Sequence, residues 1–146
     1  TGAVLDGVGV SAGGPHGRSP PRRADGQRRR VGVAAALAAD PPVLLVDEPF
    51  GAVDPIVRGR LQEEFRGLQR ELGKTVVMVT HDIDEAIFMA NRVAVFSARP
   101  GRIKADIPVN LPHPRHYTVK TSPEFMELKA RLTEEIRAES LAAAAH

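Results

Sequence analysis

The sequence contains no cysteine, no tryptophan, a single tyrosine and no long apolar run. Without cysteine it forms neither a disulfide framework nor a cysteine metal site, and such a composition suits a reducing interior. A run as short as "VLLV" cannot span a bilayer, and no apolar signal core follows a basic head near the first residue. At 146 residues and 42% hydrophobic content, we expect a soluble chain with one core, hence one domain or part of one.

Positive charge is concentrated at the start of the chain, although the net charge is only +2. Residues 1–21 are rich in Gly, Pro, Ser and Arg and show no apolar period, so we predict a disordered or loosely attached segment. A basic tail could touch nucleic acid through phosphates, but it has no aromatic residue for base stacking. We therefore favour a solvated tail and expect no nucleic-acid partner.

From Gly26 onward, helical and strand patterns alternate along the chain. "GQRRRVGVAAALAAD" is typical of a helix that ends at Asp40-Pro41-Pro42, and "VLLV" of a strand buried on both faces. Asp54 and Pro55 suit the start of a helix that ends at Gly73. Its apolar stripe is predicted to comprise Leu61, Phe65, Leu68 and Leu72.

The second half of the chain continues the alternation. "TVVMVT" and "VAVFS" predict strands on either side of a short helix in "HDIDEAIFMANR", and "RIKADIPV" a strand pairing back across "ARPG". "LPHPRHY" is predicted to be extended, and a last helix to begin at Ser122-Pro123. Its buried face is predicted to comprise Phe125, Leu128, Leu132 and Ile136. The whole pattern indicates the α/β class with a mainly parallel sheet.

Polar residues follow two of these predicted strands. Asp47 and Glu48 come directly after "VLLV", and Thr80 and His81 end the next strand. Ligands of parallel sheets bind outside the carboxyl ends of the strands, where a carboxylate can hold Mg²⁺ and its neighbour can deprotonate a water. Taken singly, an Asp-Glu pair is more often a solvated loop and a lone histidine a satisfied hydrogen bonder.

Together these motifs resemble one family. "GQRRRVGVAAALAADPPVLLVDEPFGAVDP" followed by "TVVMVTHDIDEA" is similar to the second half of the ATPase domain of ABC transporters, a partial P-loop NTPase fold. The resemblance runs from about residue 23 to the C-terminus. It implies that Asp47 is the Walker B aspartate near Mg²⁺, Glu48 the general base and His81 the switch that contacts the γ-phosphate of ATP. It also implies a D-loop at Gly51–Asp54 that crosses to a partner subunit.

The family's signature segment is altered here. The resemblance places Gly26 and Gln27 at the end of the signature, where with Asp54 they would bind the nucleotide. In the usual Leu-Ser-Gly-Gly-Gln, the first three residues are replaced by Arg23-Ala24-Asp25. Asp25 would set a negative charge where a phosphate approaches.

The phosphate-binding motif G-x-x-x-x-G-K-[ST] does not occur in the 146 residues. We therefore expect the polypeptide alone to be inactive as an ATPase, and we interpret the change in composition near Gly26 as a sign of a truncated or frame-shifted gene. The predicted organisation is a non-family segment at 1–21, an ATPase core fragment at 22–100, and a C-terminal strand, loop and helix at 101–146. A non-enzymatic remnant is the alternative.

The C-terminal portion, with "ARPGRI" and the "SPEF" helix, resembles importer ATPases for nitrate, sulfonates and taurine, whereas "DEPFGAVDPI" is also similar to osmoprotectant (glycine betaine) importers. The resemblance implies a second ATPase subunit, a transmembrane permease and, indirectly, a substrate-binding protein as partners. It implies a location at the cytoplasmic face of the membrane. His113 and His116 could form a metal pair, but the prolines of "HPRH" favour an extended, solvated loop.

Overall fold

The computed structural model describes residues 39–145. The predicted N-terminal segment at 1–21 and most of the helix predicted from Gly26 lie outside the described residues. The described elements are β1 (Val43–Asp47), α1 (Pro55–Leu72), β2 (Thr75–Val79), α2 (Ile83–Met89), β3 (Arg92–Phe96), β4 (Ile103–Pro108), a 3₁₀ helix (Tyr117–Thr121) and α3 (Pro123–Ala144). Their mixture and order confirm the α/β class.

These elements fall into two compact units, which meet in the sequence between Met78 and Val79. In the first unit β1 and β2 pair in parallel, and α1 connects them, as the crossover of a parallel pair requires. In the second unit β3 and β4 form an antiparallel sheet of their own. The domain boundaries predicted after residues 21 and 100 stay a prediction.

The predicted ends of α1 are confirmed. Asp54 Oδ1 accepts a hydrogen bond from the Ile56 amide at 3.0 Å, and Pro55 occupies the first helical position. Gly73 ends the helix in the left-handed region at φ 62°, a conformation that costs glycine little because it has no Cβ. The sequence therefore specifies this helix at both of its ends.

The predicted apolar stripe of α1 is only partly correct. Phe65 is buried and packs edge-on against Phe50, with ring centroids 6.1 Å apart. Leu68 and Leu72, however, are 44% and 47% exposed. The residues buried beside Phe65 are polar ones, Gln62 and Arg66. Since Gln62 lies three and four positions before the other two, these residues share one helix face, which the apolar pattern alone did not identify.

β1 is less buried than its apolar sequence predicts. Leu44 is buried, whereas Val43 is about half exposed and Val46 is half-buried. Because neighbouring side chains of a strand point to opposite faces, one face of β1 is covered more completely than the other. The expectation of a strand buried on both faces is therefore wrong at Val43.

The hairpin of β3 and β4 is confirmed. Val93 lies opposite Ile107 and Val95 opposite Ala105, with a shift in register between Val95 and Phe96. Among residues 39–145 β3 pairs with β4 alone, so its expected place in a parallel sheet is not observed. The turn "ARPG" is short enough to return the chain directly to its own neighbour, which sets an antiparallel pairing.

The core of the second unit lies where α2, the hairpin and α3 pack together. Its buried members are Ala86, Ile87, Phe88, Val93, Val95, Ile107, Val109, Leu111, Phe125 and Leu132. Ser122 caps α3 by accepting from the Phe125 amide at 3.3 Å, and Leu128 and Ile136 pack partly buried against the core. The predicted start and inner face of α3 are thus confirmed.

The 3₁₀ helix before α3 was not predicted. Its turns are closed by Val119 N donating to His116 O at 2.9 Å and by Ser122 N donating to Val119 O at 3.0 Å. No helix within residues 39–145 is long and apolar enough to cross a bilayer.

Candidate functional site

The two candidate carboxylates lie at the carboxyl end of β1. Asp47 is the last residue of the strand, its side chain is exposed, and no side chain within residues 39–145 forms an ion pair or hydrogen bond with it. Glu48 follows in the left-handed region at φ 44° and is half-buried. A non-glycine residue adopts this conformation at a cost of about 1–2 kcal/mol. The chain therefore leaves the direction of the strand at Glu48.

The loop after Glu48 is folded back by its own backbone. Gly51 N donates to Glu48 O, and Val53 N donates to Phe50 O, both at 3.3 Å. The Phe50 ring anchors the loop by packing against Phe65 of α1. The strained turn at Glu48 is thus followed by two successive tight turns and an apolar anchor.

Arg58 of α1 fixes the end of this loop. Its Nη2 atom donates to Val53 O at 2.9 Å, and its amide donates to Asp54 O at 2.7 Å. Asp54, a predicted nucleotide-binding residue, uses Oδ1 as the helix cap described above. The predicted D-loop, Gly51–Asp54, is therefore attached to α1 at its last residues, while Gly51 and Ala52 are exposed.

His81 lies on an equally constrained turn in the second unit. The preceding Thr80 is buried, and its hydroxyl donates to Glu85 Oε2 at 3.1 Å and accepts from Asp82 N at 3.0 Å. Asp82 caps α2 by accepting from Glu85 N at 3.1 Å. The His81 side chain is exposed. A partly buried network of hydrogen bonds therefore positions the residue on each side of His81.

One of the two carboxylates at the end of β1 offers the type of ligand that Mg²⁺ takes. Mg²⁺ takes oxygen ligands and commonly binds one or two carboxylates together with water and substrate phosphates. The exposed Asp47 carboxylate at the end of a strand supplies such a ligand. No group of three or more His, Cys, Asp or Glu side chains within residues 39–145 is arranged to hold a metal. His113 and His116 are exposed, as the predicted solvated loop requires, but Arg115 between them is only 4% exposed, so that prediction is wrong at Arg115.

Comparison with curated proteins finds many relatives, and three of them illustrate which kinds of protein these are. The aliphatic sulfonates import ATP-binding protein of Bacillus licheniformis is 44% identical over 116 residues, which is 80% of this chain and 44% of that protein. The glycine betaine/carnitine/choline transport ATP-binding protein of Bacillus subtilis is 58% identical over 81 residues, 56% of this chain and 21% of that protein. The osmoprotectant import ATP-binding protein of Salmonella typhimurium is 51% identical over 109 residues, 75% and 27% of the two lengths.

The chain belongs to the ABC transporter ATP-binding proteins. No model of a protein family matches it, so the assignment depends on the identity to individual members. The chain spans about half or less of the length of the curated relatives it matches. Membership confirms the resemblance inferred from the motifs.

Within this family, the residue roles inferred from the sequence stay predictions. Asp47, Glu48 and Asp54 lie in the first unit and His81 in the second, so their meeting at one nucleotide is not established by the fold of either unit. Gly26 and Gln27 lie outside the described residues. The structure shows instead how the local backbone presents each of the four described residues.

Two residues that hold these turns were missed by the sequence analysis. Glu85 accepts from Thr80 beside His81, and Arg58 holds the end of the 48–54 loop. A signal for the first turn is present, because Asp82 followed three positions later by Glu85 is the spacing of a capping box. No sequence signal identifies Arg58, whose role depends on a contact with a backbone carbonyl.

Proposed function

We propose that this chain is part of the ATP-hydrolysing, energy-coupling subunit of an ABC importer. The observation that carries the proposal is the end of β1, where the exposed Asp47 is followed by Glu48 in a left-handed turn. Asp47 is the last residue of the strand, whereas Glu48 is the first residue of the loop and is half-buried. Two carboxylates with different surroundings suit two different roles.

Asp47 would hold Mg²⁺, because it is the carboxylate attached directly to the strand and octahedral coordination tolerates little displacement. When bound, Mg²⁺ would supply charge stabilisation at the phosphates of ATP. Glu48 would accept the proton of the attacking water, since its longer side chain reaches past the metal ligand. Phosphoryl transfer depends mainly on positioning and charge, so the fixed backbone around both residues supports these roles.

The remaining site residues complete the proposal. His81 would contact the γ-phosphate from its constrained turn, and Gly51–Asp54 would contact a second ATPase subunit as the D-loop. Gly26 and Gln27 would close on the nucleotide of that partner. The exposure of Gly51 and Ala52 supports a contact with another chain, because both residues are accessible on a loop that its own hydrogen bonds hold in place.

The proposed partners follow from the importer role. They are a second ATPase subunit, a transmembrane permease and, through the permease, a substrate-binding protein. The ATPase subunit would lie at the cytoplasmic face of the membrane. We expect no nucleic-acid partner, and salt-dependent binding of the chain to DNA would contradict that expectation.

For the transported substrate we propose the nitrate, sulfonate and taurine class, with osmoprotectants as the second candidate. The sulfonate importer relative supports the first, over 80% of this chain. The higher identity of the osmoprotectant relatives, 51% and 58%, supports the second. The two candidates are separated by uptake measurements in cells of the organism that encodes this chain, with the gene present and deleted. Labelled sulfonate and labelled glycine betaine are the two substrates to compare. We expect loss of sulfonate uptake alone, and loss of betaine uptake alone would favour the second candidate.

ATP turnover is tested in a chimera in which this chain replaces the matched 116-residue stretch of the Bacillus licheniformis relative. We expect the chimera to hydrolyse ATP slowly while Arg23-Ala24-Asp25 remains, and faster when these three residues are changed to Leu-Ser-Gly. Glu48→Gln should abolish turnover while an ATP-bound dimer accumulates on size-exclusion chromatography. Asp106→Asn, on the exposed face of β4, is the matched control and should leave turnover unchanged. A folded chimera that binds ATP without turnover would favour the non-enzymatic alternative.

A further inference from the structure

The helix that follows His81 is too short to hold itself in place. α2 has 7 residues, whereas isolated helices shorter than about 12–15 residues are marginal in water. Its position must therefore be set by the elements packed against it. Those elements are the hairpin of β3 and β4 and the C-terminal part of the chain, residues 109–144.

Arg115 makes the most extensive of these contacts. It is only 4% exposed, and both terminal nitrogens of its guanidinium donate to backbone carbonyls. Nη1 donates to Ile87 O at 3.0 Å, Phe88 O at 3.1 Å and Ala90 O at 2.7 Å, and Nη2 donates to Val109 O at 3.3 Å and Leu111 O at 3.4 Å. The side chain thus joins the last turn of α2 to the loop after β4.

Both the charge and the shape of arginine suit this position. The last carbonyls of a helix have no partner within the helix and carry the negative end of its dipole. A planar guanidinium with several fixed donors can satisfy carbonyls on two segments at once, whereas a lysine is a point charge. Loss of the guanidinium would leave buried carbonyls without donors.

Two further contacts hold the same helix. Lys129 of α3 forms an ion pair with Asp84 at 2.9 Å, and Lys120 lies 5.2 Å from the centroid of the Phe88 ring. The opposite end of α2 is linked to the turn of His81 through Thr80, Asp82 and Glu85. A displacement of α2 would therefore be transmitted to the backbone on both sides of His81.

We infer that Arg115 is a positioning residue for His81, because it fixes the far end of the helix on which the turn of His81 depends. This inference rests on the proposed function for its catalytic consequence. The structural part stands on the contacts alone. The carbonyls that Arg115 binds belong to α2, to Ala90 after it and to the loop after β4, so its effect on His81 passes through α2.

The structural part is tested by amide hydrogen exchange in the 146-residue chain. In Arg115→Met we expect exchange at residues 81–90 to be faster by about tenfold or more, since a helix that loses its anchors opens locally. Arg115→Lys should give a smaller increase in the exchange rate. It takes the place of Arg115→Met in this test if the methionine variant does not fold. Lys104→Met is the control, because Lys104 contacts Glu135 and Glu139 of α3 but no residue of α2. An unchanged rate at 81–90, or equal acceleration throughout residues 79–145, would overturn the inference.

The catalytic part is tested in the active chimera. A misplacement of a catalytic group by about 1 Å costs about a hundredfold in rate. The milder change Arg115→Lys should therefore lower kcat by about tenfold and leave KM for ATP within about twofold. Lys104→Met should leave both unchanged. A chimera that is inactive, or insensitive to His81→Ala, would reject the proposed function, and hydrogen exchange would still decide whether Arg115 holds α2. An active, His81-dependent chimera in which Arg115→Lys changes exchange at 81–90 but not kcat would overturn the positioning role.

Discussion

The two units of the chain differ in what holds them together. Every member of the main hydrophobic core cluster lies in the second unit, between Ala86 and Leu132. In the described part of the first unit the buried apolar side chains are fewer, and Gln62 and Arg66 are buried beside them. The first unit instead fixes its loop with backbone hydrogen bonds, a helix cap and one aromatic pair.

Because of this difference, we expect stability and ATP turnover to depend on different units of the chain. The first unit presents the two carboxylates on a strained, hydrogen-bonded loop, where small changes of backbone alter the direction of a side chain. The second unit presents His81 on a turn that is supported by a packed core. Substitutions in the core of the second unit should therefore affect stability most, and substitutions in the loop of the first unit should affect turnover most.

The largest effect on stability is expected at Phe125, a residue of α3 that is fully buried in the core. Phe125→Ala should lower the free energy of unfolding by about 3–5 kcal/mol, as measured by denaturant titration. The adjacent Met126 is 51% exposed, and Met126→Ala should change it by less than about 0.5 kcal/mol. Equal effects of the two substitutions would contradict the assignment of the core.

A smaller effect is expected at Thr80, whose hydroxyl joins Glu85 and Asp82. Thr80→Val keeps the shape and removes the hydroxyl, so it should lower the free energy of unfolding by about 1–3 kcal/mol. Thr80→Ser keeps the hydroxyl and should lower the free energy of unfolding by less than Thr80→Val does. If serine is as damaging as valine, the hydrogen bonds are not what the buried threonine contributes.

At the end of the loop, Asp54 has a local role that does not depend on nucleotide. Asp54→Ala removes the cap of α1 and should lower the free energy of unfolding by about 1 kcal/mol. Asp54→Asn retains an oxygen acceptor and should leave the free energy of unfolding nearly unchanged. An equal loss in both variants would show that the charge, rather than the cap, matters at this position.

The sequence predicted well those features that depend on near neighbours. The caps at Asp54 and Ser122, the stop at Gly73 and the hairpin of β3 and β4 each require only a few consecutive residues, and all are confirmed. The inner face of α3 was also predicted, because its apolar residues repeat at helical spacing and pack against one core.

Features that depend on distant contacts were not predicted. The stripe of α1 failed at Leu68 and Leu72, because burial of polar residues on the neighbouring face cannot be read from an apolar pattern. The role of Arg115 depends on carbonyls about 25–28 positions away, and any arginine in a proline-rich loop reads as solvated. The candidate carboxylates were found because they lie at the end of an apolar strand, but the left-handed conformation of Glu48 was not predicted.

The smallest effect is expected at the exposed pair of Arg92 and Asp106 across the hairpin. The hydrogen bond from Arg92 lowers the pKa of the Asp106 carboxyl. A carboxyl with a lower pKa in the folded state stabilises the fold above its unfolded pKa of about 4, and this contribution is lost as pH falls through the folded pKa. The melting temperature of the wild-type chain minus that of Asp106→Asn should therefore become smaller as the pH is lowered below about 4. A difference that does not vary with pH would contradict the pairing.

The central claim is that the two adjacent carboxylates after β1 have different roles. The most direct test measures Mg²⁺-dependent ATP affinity and hydrolysis in the chimera for Asp47→Asn and Glu48→Gln. The account predicts that Asp47→Asn weakens Mg²⁺-dependent binding, whereas Glu48→Gln leaves affinity nearly unchanged and lowers turnover by about a hundredfold or more. Loss of affinity in Glu48→Gln with retention in Asp47→Asn would reverse the assignment, and unchanged turnover in both would contradict the claim.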